Sequence, residues 1–169
     1  GLRTKKGRVI YVAAEGANGM RKRISAAMDH QECGRDDIDF LLCPKNVSLC
    51  PDDDEVKDFV RTVQEYGGGE PVALVVIDTL SRAMAGMDEN GPDMAKAVKQ
   101  MGEGVMDVLK CAVFIIHHAG KKEALGMRGH TSLRAALDTE MELRKDDSGI
   151  GTMTVTKQKD GDEGGVYMH

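Results

Sequence analysis

Pro71-Val72-Ala73-Leu74-Val75-Val76-Ile77-Asp78-Thr79-Leu80-Ser81-Arg82 is the stretch whose reading decides the fold. Small and β-branched apolar residues run without a break into one carboxylate, and a hydroxyl follows it. An apolar run this short reads as a strand buried on both faces of a parallel sheet. Open α/β sheets bind their ligands at the carboxyl ends of the strands, so Asp78 stands at the mouth of a site on a rigid support. In nucleotide hydrolases a carboxylate so placed holds the Mg²⁺ that bridges the phosphates. The plainer account of the same residue is an Asp that caps the helix after a buried strand.

Two other segments repeat the design. Cys111-Ala112-Val113-Phe114-Ile115-Ile116 ends in His117 and His118. Val9-Ile10-Tyr11-Val12-Ala13-Ala14 ends in Glu15 and Gly16. Three buried strands, each terminated by an ionisable group, converge on one edge of a sheet. That convergence says more than any of its members.

The bulk properties fit one soluble globular domain over residues 1–169. Hydrophobic residues make up 41% and charged residues 30% of the 169 positions, enough to build a real core. Aromatics are only 4% while Met numbers 11, so aliphatics and Met must fill that core. A net charge of −5 argues against a uniformly basic nucleic-acid binder and leaves room for a local basic loop. Cys33, Cys43, Cys50 and Cys111 form no C-x-x-C pair and no zinc pattern, which points to free thiols in a reducing cytoplasm. No apolar run is long enough for a membrane span, and no signal peptide is visible.

Along the chain, the spacing predicts a helix from Asn18 to about Ala27 or beyond, ended by Gly34. A short strand at 38–42 follows. Asp52 or Asp53 caps a helix carrying Val56, Phe59, Val60 and Val63, and its acidic start suits the helix dipole. After the Asp78 strand comes a loop over 83–92. A helix over 93–109 then presents Met94, Ala97, Val98, Met101, Val105 and Leu109 on its inner face. Beyond the His117 strand lie a polar loop over 120–129 and a helical turn over 132–137. The alternating segments 139–144, 152–159 and 166–168 read as antiparallel strands. Strand and helix in alternation imply a parallel sheet flanked by helices, which the antiparallel tail is expected to extend.

Phosphoryl transfer to water needs a metal clamp, a group to orient the water, a sensor for the terminal phosphate and positive charge. Asp78 can hold the metal, supported by Thr79 or Ser81. Glu15 can polarise the water, although it can equally cap the helix that follows. His117 or His118 can hydrogen-bond the γ-phosphate. Adjacent strand residues point to opposite faces, so the two histidines do not chelate one metal together. Lys157 and Lys159 share a strand face and suit an anion across an interface, or are simply solvated. No G-x-x-x-x-G-K-[ST] phosphate loop is present. Gly16-Ala17-Asn18-Gly19 and Gly120-Lys121-Lys122 both lack the parts of one.

In order along the chain, Val9–Gly16, Leu74–Arg82, Val113–Lys121, Met127–Leu133, Ala136–Thr139 and Lys157-Gln158-Lys159-Asp160-Gly161 resemble the RecA-like ATPase core, and within it the RepA-type hexameric replicative helicases. The resemblance implies an ATP-hydrolysing, Mg²⁺-dependent DNA helicase core that assembles as a ring or other homo-oligomer on single-stranded DNA. It implies that Glu15 is the catalytic glutamate, Asp78 the Walker B aspartate and His118 the γ-phosphate sensor. Lys121, Lys122 and Arg128 fall in what resembles a DNA loop, where they would meet a single strand's phosphates. Lys157 and Lys159 resemble a K-x-R pair that reaches a neighbouring subunit's nucleotide. The second member is Lys here, and it loses the bidentate fork of Arg. The family's phosphate loop precedes the Glu15 strand, so the chain is expected to be a front-truncated piece of a longer ATPase and to hydrolyse ATP poorly alone.

Two other classes compete. A recombinase-type ATPase is a variant of the first. A degenerate RecA-like module binding DNA or a protein without hydrolysis is the second class, and an upstream phosphate loop would discriminate against it. A flavodoxin-like or receiver domain requires an acidic cluster at the first strand, where only Glu15 stands.

Overall fold

The computed structural model describes residues 6–50, 54–88, 91–118 and 130–168. The chain forms two compact units, 1–129 and 130–169. In the first, the strands β1 (Arg8–Ala13), β2 (Phe40–Cys43), β3 (Val72–Asp78) and β4 (Ala112–Ile116) form a parallel sheet in the order β2-β1-β3-β4. The helices α1 (Ala17–His30), α2 (Glu55–Tyr66), α3 (Leu80–Ala83), α4 (Asp93–Met101) and α5 (Asp107–Leu109) lie between and after these strands. The apolar runs at 9–14, 72–78 and 111–116 become β1, β3 and β4, as their length and β-branching require.

Strand alternation divides the sheet into unequal faces. Ile10 and Val12 sit beside Val75 and Ile77 in register, and all four are buried. Full burial of each such side chain stabilises by about 1.5–3 kcal/mol. The opposite face carries Tyr11, Val76, Asp78 and Phe114, of which Tyr11 is half-buried and Phe114 is 41% exposed. Helix α1 buries none of its residues fully, whereas α2 buries Val56, Phe59 and Val60.

The helix expected over 93–109 is present in three pieces. α4 passes into a π-helical turn, Gly102–Met106, and then into α5. Gly102 and Gly104 weaken α-helical geometry there, and a π-turn absorbs the extra residue. Gly104 also allows close packing, because a Cβ at that position would stand 2.8 Å from Val56 Cγ1 of α2. Met94, Ala97, Met101 and Val105 are buried, while Val98 and Leu109 are only half-buried.

Several boundaries differ from those read in sequence. α1 begins at Ala17 behind Gly16, and Asn18 lies inside the helix. It ends at His30, and Gly34 instead precedes a 3₁₀ turn, Arg35–Asp37. Asp54 precedes α2, while positions 52 and 53 fall outside the described residues. A short helix, α3, stands between the Asp78 strand and the loop expected from Ala83, and its Leu80 and Ala83 and the following Met84 are buried.

The second unit holds α6 (His130–Ala136) and the strands β5 (Thr139–Lys145), β6 (Gly151–Gln158) and β7 (Val166–Met168). The antiparallel tail was expected to extend the parallel sheet. Its strands instead pair with one another, in the order β5-β6-β7, as a three-stranded sheet of their own. Hairpin contacts are local in sequence and satisfy the ladder without the parallel strands.

Candidate active site

The carboxyl ends of three parallel strands lie level. Ala13 stands beside Asp78, and Asp78 beside Ile116. The Ala14 amide donates to the Asp78 carbonyl at 2.8 Å, so the β1 and β3 arms leave the sheet together. The next residue on the first arm is Glu15. Gly16 follows with φ +67°, a left-handed turn that glycine adopts without steric cost, and it starts α1 at once.

Glu15 is the hub of the site. Arg82 Nε donates to its Oε2 at 2.9 Å. Thr79 Oγ1 donates to its Oε1 at 3.5 Å. His118 Nε2 stands 3.7 Å from the same oxygen and pairs with it when the imidazole is protonated. The Arg82 hydrogen bond, with help from its charge and from His118, holds the Glu15 carboxyl below its ordinary value. A carboxylate placed this way stays ionised near neutral pH and can accept a hydrogen bond from water.

Asp78 has a different partner. Tyr11 Oη donates to Asp78 Oδ2 at 2.5 Å. Burial, reinforced by this hydrogen bond to Asp78, pushes the Tyr11 phenol well above its usual value, so it remains a neutral donor. The Tyr11 ring packs beside Phe40, with centroids 6.1 Å apart. With Oδ2 engaged, Oδ1 remains for a cation. The Asp78–Thr79 peptide is cis. Thr79 is buried, and Ser81 lies within α3.

The structure therefore brings Glu15, Thr79 and His118 together and sets Asp78 beside them at the sheet edge. His117 is half-buried while His118 is exposed, as the alternation of a strand demands. Lys121, Lys122 and Arg128 lie outside the described residues. Lys157 and Lys159 belong to the second unit, where both cations are engaged. Lys157 Nζ donates to the carbonyls of Arg134 at 2.5 Å and Leu137 at 2.7 Å, closing the end of α6. Lys159 Nζ pairs with Asp138 at 3.1 Å.

Sequence reasoning gave no role to Tyr11 or Arg82. The signals were available. A tyrosine inside an apolar strand needs a partner for its hydroxyl. Arg82 lies in the short helix that begins two residues after Asp78, close to the same edge.

A model of the AAA domain family matches residues 1–124. The chain belongs to the AAA domain family. No curated protein matches it. Among solved structures this AAA domain is similar to the crystal structure of the RadB recombinase, at 16% identity and a TM-score of 0.64, over 96% of this chain and 74% of that one. At that identity the likeness establishes the fold, a RecA-like α/β core. Among the described residues of this AAA domain, no helix is long and apolar enough to cross a membrane.

Magnesium fits the donors present. Mg²⁺ takes hard oxygen ligands and is usually held by one or two carboxylates together with substrate phosphates and waters. The Asp78 carboxylate and the Thr79 hydroxyl at the β3 end are donors of that kind. Among the described residues no group of three or more His, Cys, Asp or Glu assembles to hold a metal.

Proposed function

We propose that this AAA domain is the ATP-hydrolysing core of a RecA-like motor acting on single-stranded DNA, with a RepA-type helicase as its specific form and a homo-oligomeric ring as its assembly. The observation that supports this reading is the gathering of Glu15, Thr79, Arg82 and His118 at the end of the strand that carries Asp78. Asp78, with Thr79 or Ser81, would hold Mg²⁺, which when bound supplies charge neutralisation on the phosphates. Glu15 would accept a hydrogen bond from the attacking water and orient it. His118, sharing Glu15 Oε1 with Thr79, would hydrogen-bond the terminal phosphate and report its presence to residues 119–129. Half-buried His117 would support the same edge. Lys121, Lys122 and Arg128 would contact the DNA backbone.

Binding of ATP with and without Mg²⁺ tests this reading, measured on residues 1–169 and on the chain extended upstream in its reading frame. Binding that tightens about tenfold or more with Mg²⁺, and loses that gain in D78N, is the expected result. Binding that is absent in both forms, or indifferent to Mg²⁺, would overturn the reading.

The second reading is a RecA-like module that binds DNA or a protein without turnover. What favours it is the engagement of Lys157 and Lys159 within their own unit, which ties down the two cations expected at a neighbouring nucleotide. Mg²⁺–ATP binding without hydrolysis in any assembled form would select it.

A further inference from the structure

A phosphate-transferring site needs positive charge close to the terminal phosphate. Among the described residues, Arg82 is the cation best placed to supply it. Its backbone is fixed, with its amide donating to the Thr79 carbonyl at 3.1 Å and its carbonyl accepting from Asn46 Nδ2 at 3.1 Å. Leu80, Ala83 and Met84 around it are buried, so α3 is a rigid base. The side chain itself is 63% exposed.

The guanidinium carries five N–H donors in a planar fork. Nε alone is spent on Glu15, at 2.9 Å. Among the described residues its terminal nitrogens have no other acceptor. A guanidinium anchored on one carboxylate, with two nitrogens open at the mouth of a sheet, is suited to two oxygens of a phosphate. The anchor also orders the side chain in advance, which reduces the entropy lost when the phosphate arrives.

We propose that Arg82 binds the terminal phosphate of a nucleoside triphosphate through its terminal nitrogens while its Nε holds Glu15 beside that phosphate. The positive charge then comes from the same chain as Glu15 and Asp78. This rests on the ATPase reading of the same site.

The test compares affinities for the triphosphate analogue AMPPNP and for ADP, both with Mg²⁺, in whichever form of the chain binds ATP. R82A is expected to weaken AMPPNP about tenfold and to change ADP less than about twofold, the effect of losing one charge-assisted contact made only by the terminal phosphate. R82K keeps the charge without the fork and is expected to fall between the two. A purely structural role would lower both affinities together along with the melting temperature. If R82A and R82K leave the AMPPNP-to-ADP ratio unchanged while Mg²⁺–AMPPNP still binds, the Arg82 role is overturned and the ATPase reading stands. If no form of the chain binds AMPPNP in a Mg²⁺-dependent way, the ATPase reading falls and takes this role with it.

Discussion

Arg82 Nε lies 2.9 Å from Glu15 Oε2, although the residues are 67 positions apart in sequence. The parallel pairing of β1 with β3 makes this possible, since it sets Ala13 beside Asp78 and launches both arms from one level. The Glu15 carboxyl is held below its ordinary value of 4.5, first by the Arg82 hydrogen bond. A carboxylate depressed in the folded state adds stability above its unfolded value, and that stability is lost as pH falls through the folded one. R82A is therefore expected to raise the Glu15 titration midpoint toward the ordinary value, read by ¹³C NMR of the carboxyl. The stability gap between R82A and the unmodified chain is expected to close in acid. An unmoved midpoint would show that the pair does not exist in solution.

Leu80, the first residue of the four-residue helix that carries Arg82, is fully buried. So short a helix has little stability of its own and depends on the residues packed beneath it. Leu80→Ala is expected to cost about 2–5 kcal/mol in urea unfolding, from lost transfer energy and the cavity left behind. A cost well under 1 kcal/mol would mean that α3 is not docked as described.

Much of this fold was legible in the chain, and the reasons are physical. Strands of a parallel sheet are short apolar blocks, so β1, β3 and β4 announced themselves, although β4, the last strand in the order, buries none of its residues fully. The ionisable residue after each block stands at the carboxyl end of its strand. Glu15, Asp78 and His118 could be expected at one edge because strand ends in a parallel sheet are level. The start of α1 was misread because Asn18 has the chemistry of a cap, whereas the positive φ of Gly16 turned the chain earlier. The independence of β5–β7 was not legible, since alternation reports a strand's faces and not its neighbour. Lys157 and Lys159 were placed on one face by period alone. Their partners, the carbonyls of α6 and the Asp138 carboxylate, come from segments that no periodicity connects to them.

Tyr11→Phe removes one oxygen and keeps the ring beside Phe40. The hydroxyl it loses is the one that donates to Asp78 Oδ2. Asp78 is only half-buried, so water can replace the donor, and the expected loss is about 1 kcal/mol in thermal or urea unfolding. The freed carboxylate regains rotational freedom, so the Mg²⁺ needed to tighten ATP binding is expected to rise several-fold. Lower stability with an unchanged Mg²⁺ requirement would confine Tyr11 to packing.

Lys157 has two conceivable uses, and one substitution separates them. Its Nζ donates to the carbonyls of Arg134 and Leu137, which lie in and just past the last turn of α6, where carbonyls lack N–H donors within the helix. A cation there satisfies those carbonyls and opposes the helix dipole, a contribution of about 0.3–1 kcal/mol at an exposed site. Lys157→Met keeps the aliphatic stem and removes the charge. If the cap is its work, backbone amides across 133–137 are expected to exchange several-fold faster with solvent, and the change is expected to stay within residues 130–168. If Lys157 instead leaves α6 to meet a neighbouring subunit's nucleotide, exchange in α6 would be unaltered in the assembled protein and hydrolysis would fall. The cap geometry favours the first outcome, because reaching a second nucleotide would first break three contacts at 2.5, 2.7 and 3.5 Å.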